Sequence, residues 1–153
     1  MVKSIAIGCD PNAAELKDLL IDHIKGLGYE LTDYGSDDPI YANTALEVAE
    51  AVAGGKHDRG ILLCGTGLGM SLAANKVFGA YAVPCSDPHS VERSILSNNV
   101  NILTLGAQVI PPEIAKERVT LWLSLSYVPG GGSEPKVQRI LEIEKRYMKP
   151  GHA

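Results

Sequence analysis

The chain has 153 residues, of which 45% are hydrophobic, 21% charged and 5% aromatic, with a net charge of −4. That balance suits one soluble globular domain, 1–153, with a sizeable core, and it excludes a basic, base-stacking surface for nucleic acid. No apolar run approaches the ~18 residues of a membrane span, no signal-peptide core follows Met1, and three widely spaced cysteines imply a reducing compartment, the cytoplasm.

Short apolar runs alternate with helical patterns along the chain. Lys3–Cys9 reads as a first buried strand, and Leu16, Leu19, Leu20, Ile24 and Leu27 then recur at helical spacing up to Gly28. Tyr29–Tyr34 is a second strand, followed by a helix carrying Ala45, Val48, Ala49 and Val52 that stops at Gly54-Gly55. Gly60–Cys64 is the third strand, Met70–Lys76 a helix, Ala80–Cys85 the fourth strand and Pro88–Leu96 another helix. Asn101–Leu105 and a helix over Pro112–Leu125 complete the alternation. A glycine-rich hinge, Pro129–Ser133, leads into a polar helix from Glu134 to Lys149 placed to reach a partner subunit. Strands bounded by turns and separated by helices predict an α/β fold. The expectation is a doubly wound, Rossmann-like three-layer sandwich with five parallel strands in the flavodoxin-type order 2-1-3-4-5. Its ligand crevice would open above strands 1 and 3, outside their carboxyl ends.

Cys64-Gly-Thr-Gly-Leu-Gly69 lies at that crevice. The run lacks the glycine spacing of a dinucleotide fingerprint and the Gly-Lys-Ser/Thr of a P-loop. It is either a tight turn that needs positive φ or a cradle of backbone N–H groups beside a thiol, at a helix start that favours anions and thiolates. Cys64 is a structural thiol on the first reading and a base on the second. Cys9 and Cys85 end other strands and read as buried structural thiols; a zinc site built from the three lacks paired short spacings. Asp10, before Pro11, is a helix N-cap, a holder of sugar hydroxyls, or both. Among the histidines, His23 borders a helix stripe, His57 sits in a surface turn and His152 in the tail; His89 alone falls near the crevice. Lys136, Arg139 and Arg93 are either solvated helix faces or cations for a phosphate.

Ile-Ala-Ile-Gly8-Cys9-Asp10, Ala-Val-Ala-Gly-Gly-Lys56, Cys64-Gly-Thr-Gly-Leu-Gly with Ala-Ala-Asn75-Lys76, and Ser97-Asn98-Asn-Val-Asn101 with Leu105-Gly106 together resemble the ribose-5-phosphate isomerase B and galactose-6-phosphate isomerase family. The resemblance runs over nearly the whole chain. It implies aldose–ketose isomerisation through a cis-enediolate with neither metal nor other cofactor. Carried over, Cys64 is the base and Thr66 assists transfer between oxygens. The amides of Gly65, Gly67 and Gly69 stabilise the enediolate, and Asp10, Ser97 and Asn98 contact substrate. Phosphate falls to Lys136, Arg139, Arg93 or His89. The family further implies a homodimer or homotetramer with shared sites. A non-catalytic subunit of a hetero-oligomer is the alternative class.

The chain also departs from the family pattern. Pro11 stands at a histidine position, Ser97 at that of the ring-opening histidine, Gln108 at an arginine, and Gly132 and Lys136 at two more. Ribose 5-phosphate closes into a furanose through O4 and must be opened, whereas a tetrose 4-phosphate has O4 esterified and cannot close that ring. The expected substrate is therefore D-erythrulose 4-phosphate/D-erythrose 4-phosphate, with D-ribose 5-phosphate/D-ribulose 5-phosphate as the alternative.

Overall fold

The structure is a computed structural model that describes residues 1–150; His152 lies outside the described residues. Five strands form one parallel sheet: β1 (Ser4–Cys9), β2 (Glu30–Asp33), β3 (Arg59–Cys64), β4 (Ala82–Pro84) and β5 (Ile102–Gly106). The helices are α1 (Ala14–Gly26), α2 (Tyr41–Ala53), α3 (Leu68–Ala74), α4 (Pro88–Leu96), α5 (Pro112–Ser124) and α6 (Glu134–Tyr147). A short 3-10 turn, Pro11–Ala13, precedes α1.

Alternation along the strands splits the core into two layers. Ile5, Ile7, Cys9, Ile61, Leu63, Leu103 and Leu105 face one side with Leu20, Ile95 and Trp122 from α1, α4 and α5. Ala6, Leu62, Cys64 and Ile102 face the other, against Val48 and Ala49 of α2 and Met70 and Ala74 of α3. The thiols are therefore divided: Cys64 points to the layer opposite Cys9 and Cys85, and the three do not converge as ligands would.

The α/β sandwich is as expected, but the sheet order is β2-β1-β3-β5-β4, so the last two strands exchange places. All five residues of β5 are buried, which suits the interior position. β4 is three residues long and ends at Pro84, which has no N–H to give a further neighbour. Its outer edge is closed by a side chain instead: the Asn75 amide donates to the Ala82 carbonyl at 2.8 Å and its oxygen accepts the Ala82 N–H at 2.7 Å. β2 is the other edge, and Glu30, Thr32 and Asp33 are exposed rather than buried. It is tied to α1 by Lys17, which is almost wholly buried and bonds both Asp33 oxygens at 2.8 and 2.9 Å.

Two further side chains pin the amino ends of the strands. Arg59 is buried, stacks on Trp122 at 5.0 Å and donates to the carbonyls of Trp122 and Leu125, satisfying the end of α5. His57, expected in a surface turn, is buried: its Nδ1 meets Ser4 Oγ at 2.7 Å and its Nε2 meets Tyr34 Oη at 2.8 Å. Burial first, then the Lys56 charge, holds its pKa below the usual histidine range. The unfolded chain thus takes up the imidazole proton at higher pH than the fold does, and stability falls as pH drops below the unfolded value of about 6.5. Thermal melts between pH 7 and 5 should show Tm falling, and His57→Gln should flatten that slope; an unchanged slope in the variant would assign it to other groups.

Candidate active site at the end of strand β3

All six residues of β3 are buried, and Cys64 closes the strand at 5% exposure. The chain then turns sharply. Gly67 adopts φ +79°, and a β-carbon there would lie 2.9 Å from the Leu105 backbone, so both the conformation and the close approach require glycine. The turn is laced onto the end of β5. Ala107 N–H donates to the Cys64 carbonyl at 2.8 Å, Gln108 N–H to the Gly65 carbonyl at 2.9 Å, and Thr104 Oγ1 to the Gly67 carbonyl at 2.7 Å. The Gly67 N–H turns back onto Cys64 Sγ at 3.1 Å. Thr66 is exposed two residues beyond the sulfur, and its Oγ1 accepts the Leu68 N–H at 3.3 Å. α3 therefore starts at Leu68, two residues earlier than its apolar pattern suggests.

Burial pushes Cys9 up to about 12 and Cys85 up to about 11, which keeps both protonated.

Asp10 stands beside this turn, its backbone N–H donating to the Leu63 carbonyl at 3.2 Å. It occupies the N-cap position ahead of Pro11, yet its side chain makes no capping bond. Oδ2 accepts the Asn12 amide at 3.3 Å, while Oδ1 is buried with no partner. A buried carboxylate oxygen without a donor carries a desolvation cost that a ligand hydroxyl relieves. Asp10 thus holds the N-cap position without a side-chain capping bond, which leaves Oδ1 open to a ligand hydroxyl.

Two neighbours of the turn escaped notice as site residues. A β-carbon on Gly69 would fall 2.4 Å from the Tyr41 ring, so the tyrosine at the start of α2 walls the loop. The Gln108 amide packs over Gly65, 3.3 Å from where its β-carbon would be. In the sequence Tyr41 carries no spacing signal, and Gln108 stands out only as a departure from an arginine.

The remaining candidates are not gathered here. Strand polarity puts Cys64 at the carboxyl end of the sheet, paired with Gly106. Ser97 and Asn98 precede β5 and lie at its amino end, about 16 Å away along a five-residue strand. Arg93 goes with them: it donates to Ser97 Oγ at 3.2 Å, and the Asn98 amide donates to the Arg93 carbonyl at 2.9 Å. Lys136 and Arg139 are exposed on α6, and Arg139 pairs with Glu142 at 3.0 Å. His89, exposed in the first turn of α4, follows β4 and so is at the same carboxyl end as Cys64, but two strands away across the sheet. Within one chain the site thus consists of Asp10, the 64–69 turn, Tyr41 and Gln108.

Residues 5–140 match the model of the Ribose/Galactose Isomerase family. The chain belongs to that family. It is 48% identical to the D-erythrulose-4-phosphate isomerase of Pectobacterium atrosepticum, over 90% of this chain and 92% of that one. It is 43% identical to ribose-5-phosphate isomerase B of Escherichia coli, over 95% and 99% of the two chains. The solved ribose-5-phosphate isomerase B of Clostridium thermocellum superposes with a TM-score of 0.88 at 41% identity, covering 94% of this chain and 99% of that one. The protein is accordingly a sugar-phosphate aldose–ketose isomerase of the ribose-5-phosphate isomerase B family.

The two loop glycines should respond differently to a methyl group. Gly67→Ala meets backbone at a positive φ and should cost about 2 kcal/mol of stability in urea melts as well as most activity. Gly69→Ala meets the outer end of the partly exposed Tyr41 ring, so it should leave the melt nearly unchanged and raise KM. Equal destabilisation by the two would refute this account of the turn.

Proposed function

We propose that the chain interconverts D-erythrulose 4-phosphate and D-erythrose 4-phosphate through a cis-enediolate without a metal. One observation carries the reaction centre: Cys64 Sγ, held by the Gly67 N–H, stands one strand away from the unpartnered Asp10 oxygen. Cys64 takes the proton from one carbon and returns it to its neighbour. Thr66 moves the proton between the two oxygens, and the Gly65, Gly67 and Gly69 backbone stabilises the enediolate charge as it develops. Asp10 accepts substrate hydroxyls.

The four-carbon substrate is supported by chemistry and by likeness. Ser97 offers no acid–base group for opening a furanose, and a 4-phosphate forms no such ring. The Pectobacterium relative bears the name of that substrate. The Escherichia coli likeness favours ribose 5-phosphate as the second reading.

A second copy completes the site. Ser97, Asn98 and Arg93 cannot reach their own Cys64 along a parallel sheet, so they serve a partner's, as do the cations of α6. The face that surrounds the loop is suited to being covered: Leu46, Leu68 and Leu72 are all about half exposed or more. The assembly is then a homodimer or homotetramer with shared sites.

Substrate and architecture are tested separately. kcat/KM for erythrulose 4-phosphate should exceed that for ribose 5-phosphate by at least about tenfold, a difference of roughly 1.4 kcal/mol in transition-state binding; equal or better turnover of ribose 5-phosphate would overturn the four-carbon assignment. Cys64→Ala should lose on the order of 1,000-fold in kcat with an unchanged melt. Cys64→Ala and Asn98→Ala, each inactive alone, should recover about a quarter of wild-type activity when subunits are mixed, the statistical yield of one intact site per heterodimer. No recovery after proven exchange would place both residues in one chain's site.

A further inference from the structure

α6 is attached to its own chain at few points. Of its 14 residues only Val137 and Glu144 are buried. Val137 joins Ile140, Leu141, Val83 and Val100 around an apolar cavity of ≈ 360 Å³. Glu144 is a different kind of contact. The residue is 7% exposed, and no cation pairs with its carboxylate among the described residues. One oxygen accepts the Gly79 N–H at 2.7 Å, and the other accepts the Tyr81 O–H at 2.6 Å.

That seat is prepared by a third residue. Asn101 donates to the Gly79 carbonyl at 2.9 Å and accepts the Tyr81 N–H at 2.8 Å, which fixes the segment carrying both donors. Burial and the nearby carboxylate raise Tyr81 well above the usual phenol range, so the phenol stays a donor.

A buried carboxylate facing only neutral donors is a poor source of net stability, because an apolar side chain of similar volume does as well or better. What it supplies is geometry. Two donors fixed at different angles set both the rotation of the helix and its position along its axis. At the other end of α6 the Pro129–Ser133 segment is largely exposed, and Tyr127 Oη donates to the half-buried Glu134.

Lys136 and Arg139 lie eight and five residues before Glu144, about 12 and 8 Å along the helix. Lys136 is exposed and makes no ion pair among the described residues; Arg139 pairs only with exposed Glu142. We propose that Glu144 is a positioning residue for the phosphate end of the site: seated on Gly79 and Tyr81, it sets where α6 carries Lys136 and Arg139. The inference rests on the isomerase reading above, in which α6 serves the site of a second copy.

The test uses the full chain, with kinetics on the wild type's best substrate and inorganic phosphate as competitive inhibitor. Glu144→Leu removes both acceptors at similar volume, and Tyr81→Phe removes one bond while keeping the carboxylate on Gly79. Glu144→Gln keeps both bonds, its Oε1 accepting the Gly79 N–H and its Nε2 donating to the Tyr81 hydroxyl, and serves as the conservative variant. In Glu144→Leu, KM and the phosphate Ki should rise together by about tenfold, the loss of one well-placed charge contact, with kcat within about twofold of wild type; Glu144→Gln should restore both constants to near wild type. Lys136→Ala should raise both constants in the wild type and add little in the Glu144→Leu background. A lowered Tm with KM and Ki unchanged would make Glu144 a structural residue only, and a fall in kcat at constant KM would equally overturn the proposal. Should Glu144→Leu fail to fold, Tyr81→Phe is read in the same way with a smaller shift. Wild-type turnover and its loss in Cys64→Ala report on the isomerase reading independently. If no sugar phosphate is turned over, that reading falls, while calorimetric binding of inorganic phosphate to wild type and Glu144→Leu still decides the role of Glu144.

Discussion

The site depends on the close approach of the 64–69 turn to the end of β5. Gly67 lies against the Leu105 backbone where no side chain fits, and only from that position does its N–H reach Cys64 Sγ. The surrounding bonds from Ala107, Gln108 and Thr104 use both sides of the turn to hold one conformation. A loop so heavily bonded to the neighbouring strand does not reorganise when charge appears on a bound substrate, which is the condition for effective electrostatic stabilisation. The sheet order matters here. With β5 beside β3, the turn rests on a fully buried five-residue strand; the three-residue β4 in that place would end at Pro84 and offer it a shorter support.

Parallel strands impose a second constraint. Everything that follows a strand gathers at the carboxyl end of the sheet, and everything that precedes one gathers at the amino end. Asp10, the 64–69 turn and Gln108 follow β1, β3 and β5. Ser97, Asn98 and Arg93 precede β5, and α6 seats Glu144 on Gly79 and Tyr81, which precede β4. On the proposed reading, a single chain holds two half-sites facing opposite ways, and a second copy completes each of them.

Much of this was legible in the residues. Five apolar runs bounded by turns gave the strands, and the glycines after Cys64 marked the reactive turn. The misreadings have specific causes. Pro84 marks β4 as an edge, but a proline is equally acceptable as a strand terminator, and Asn75, the side chain that closes the edge, is remote from β4 in the pattern of apolar residues. His57 follows a glycine pair and precedes charged residues, so it reads as surface; its burial comes from Ser4 and Tyr34, 53 and 23 residues away. Asp10-Pro11 has the composition of a helix cap, and only the missing bond separates a cap from a ligand holder. Tyr41 belongs to the site because Gly69 lacks a side chain, a complementarity that neither position reveals alone.

The departures from the family pattern acquire a spatial logic in this arrangement. Ser97, Gly132 and Lys136 lie away from the bonds that hold the Cys64 turn. On the proposed reading, changing them alters what a partner's site meets at the far end of its substrate, while the turn, its bonds to β5 and the Asp10 carboxylate stay as they are. Pro11 and Gln108 are at the near end, yet neither belongs to the bonds that hold Cys64 Sγ, and Gln108 contributes its backbone N–H whatever side chain it carries. The proposed assembly would assign reaction chemistry and substrate length to different parts of the surface, joined when two chains associate. On the proposed reading, a change from a five-carbon to a four-carbon phosphate requires the cations to move inward by about one carbon–carbon bond. A helix of which only Val137 and Glu144 are buried, rather than one held by a broad apolar face, is well suited to being re-aimed by so small an amount.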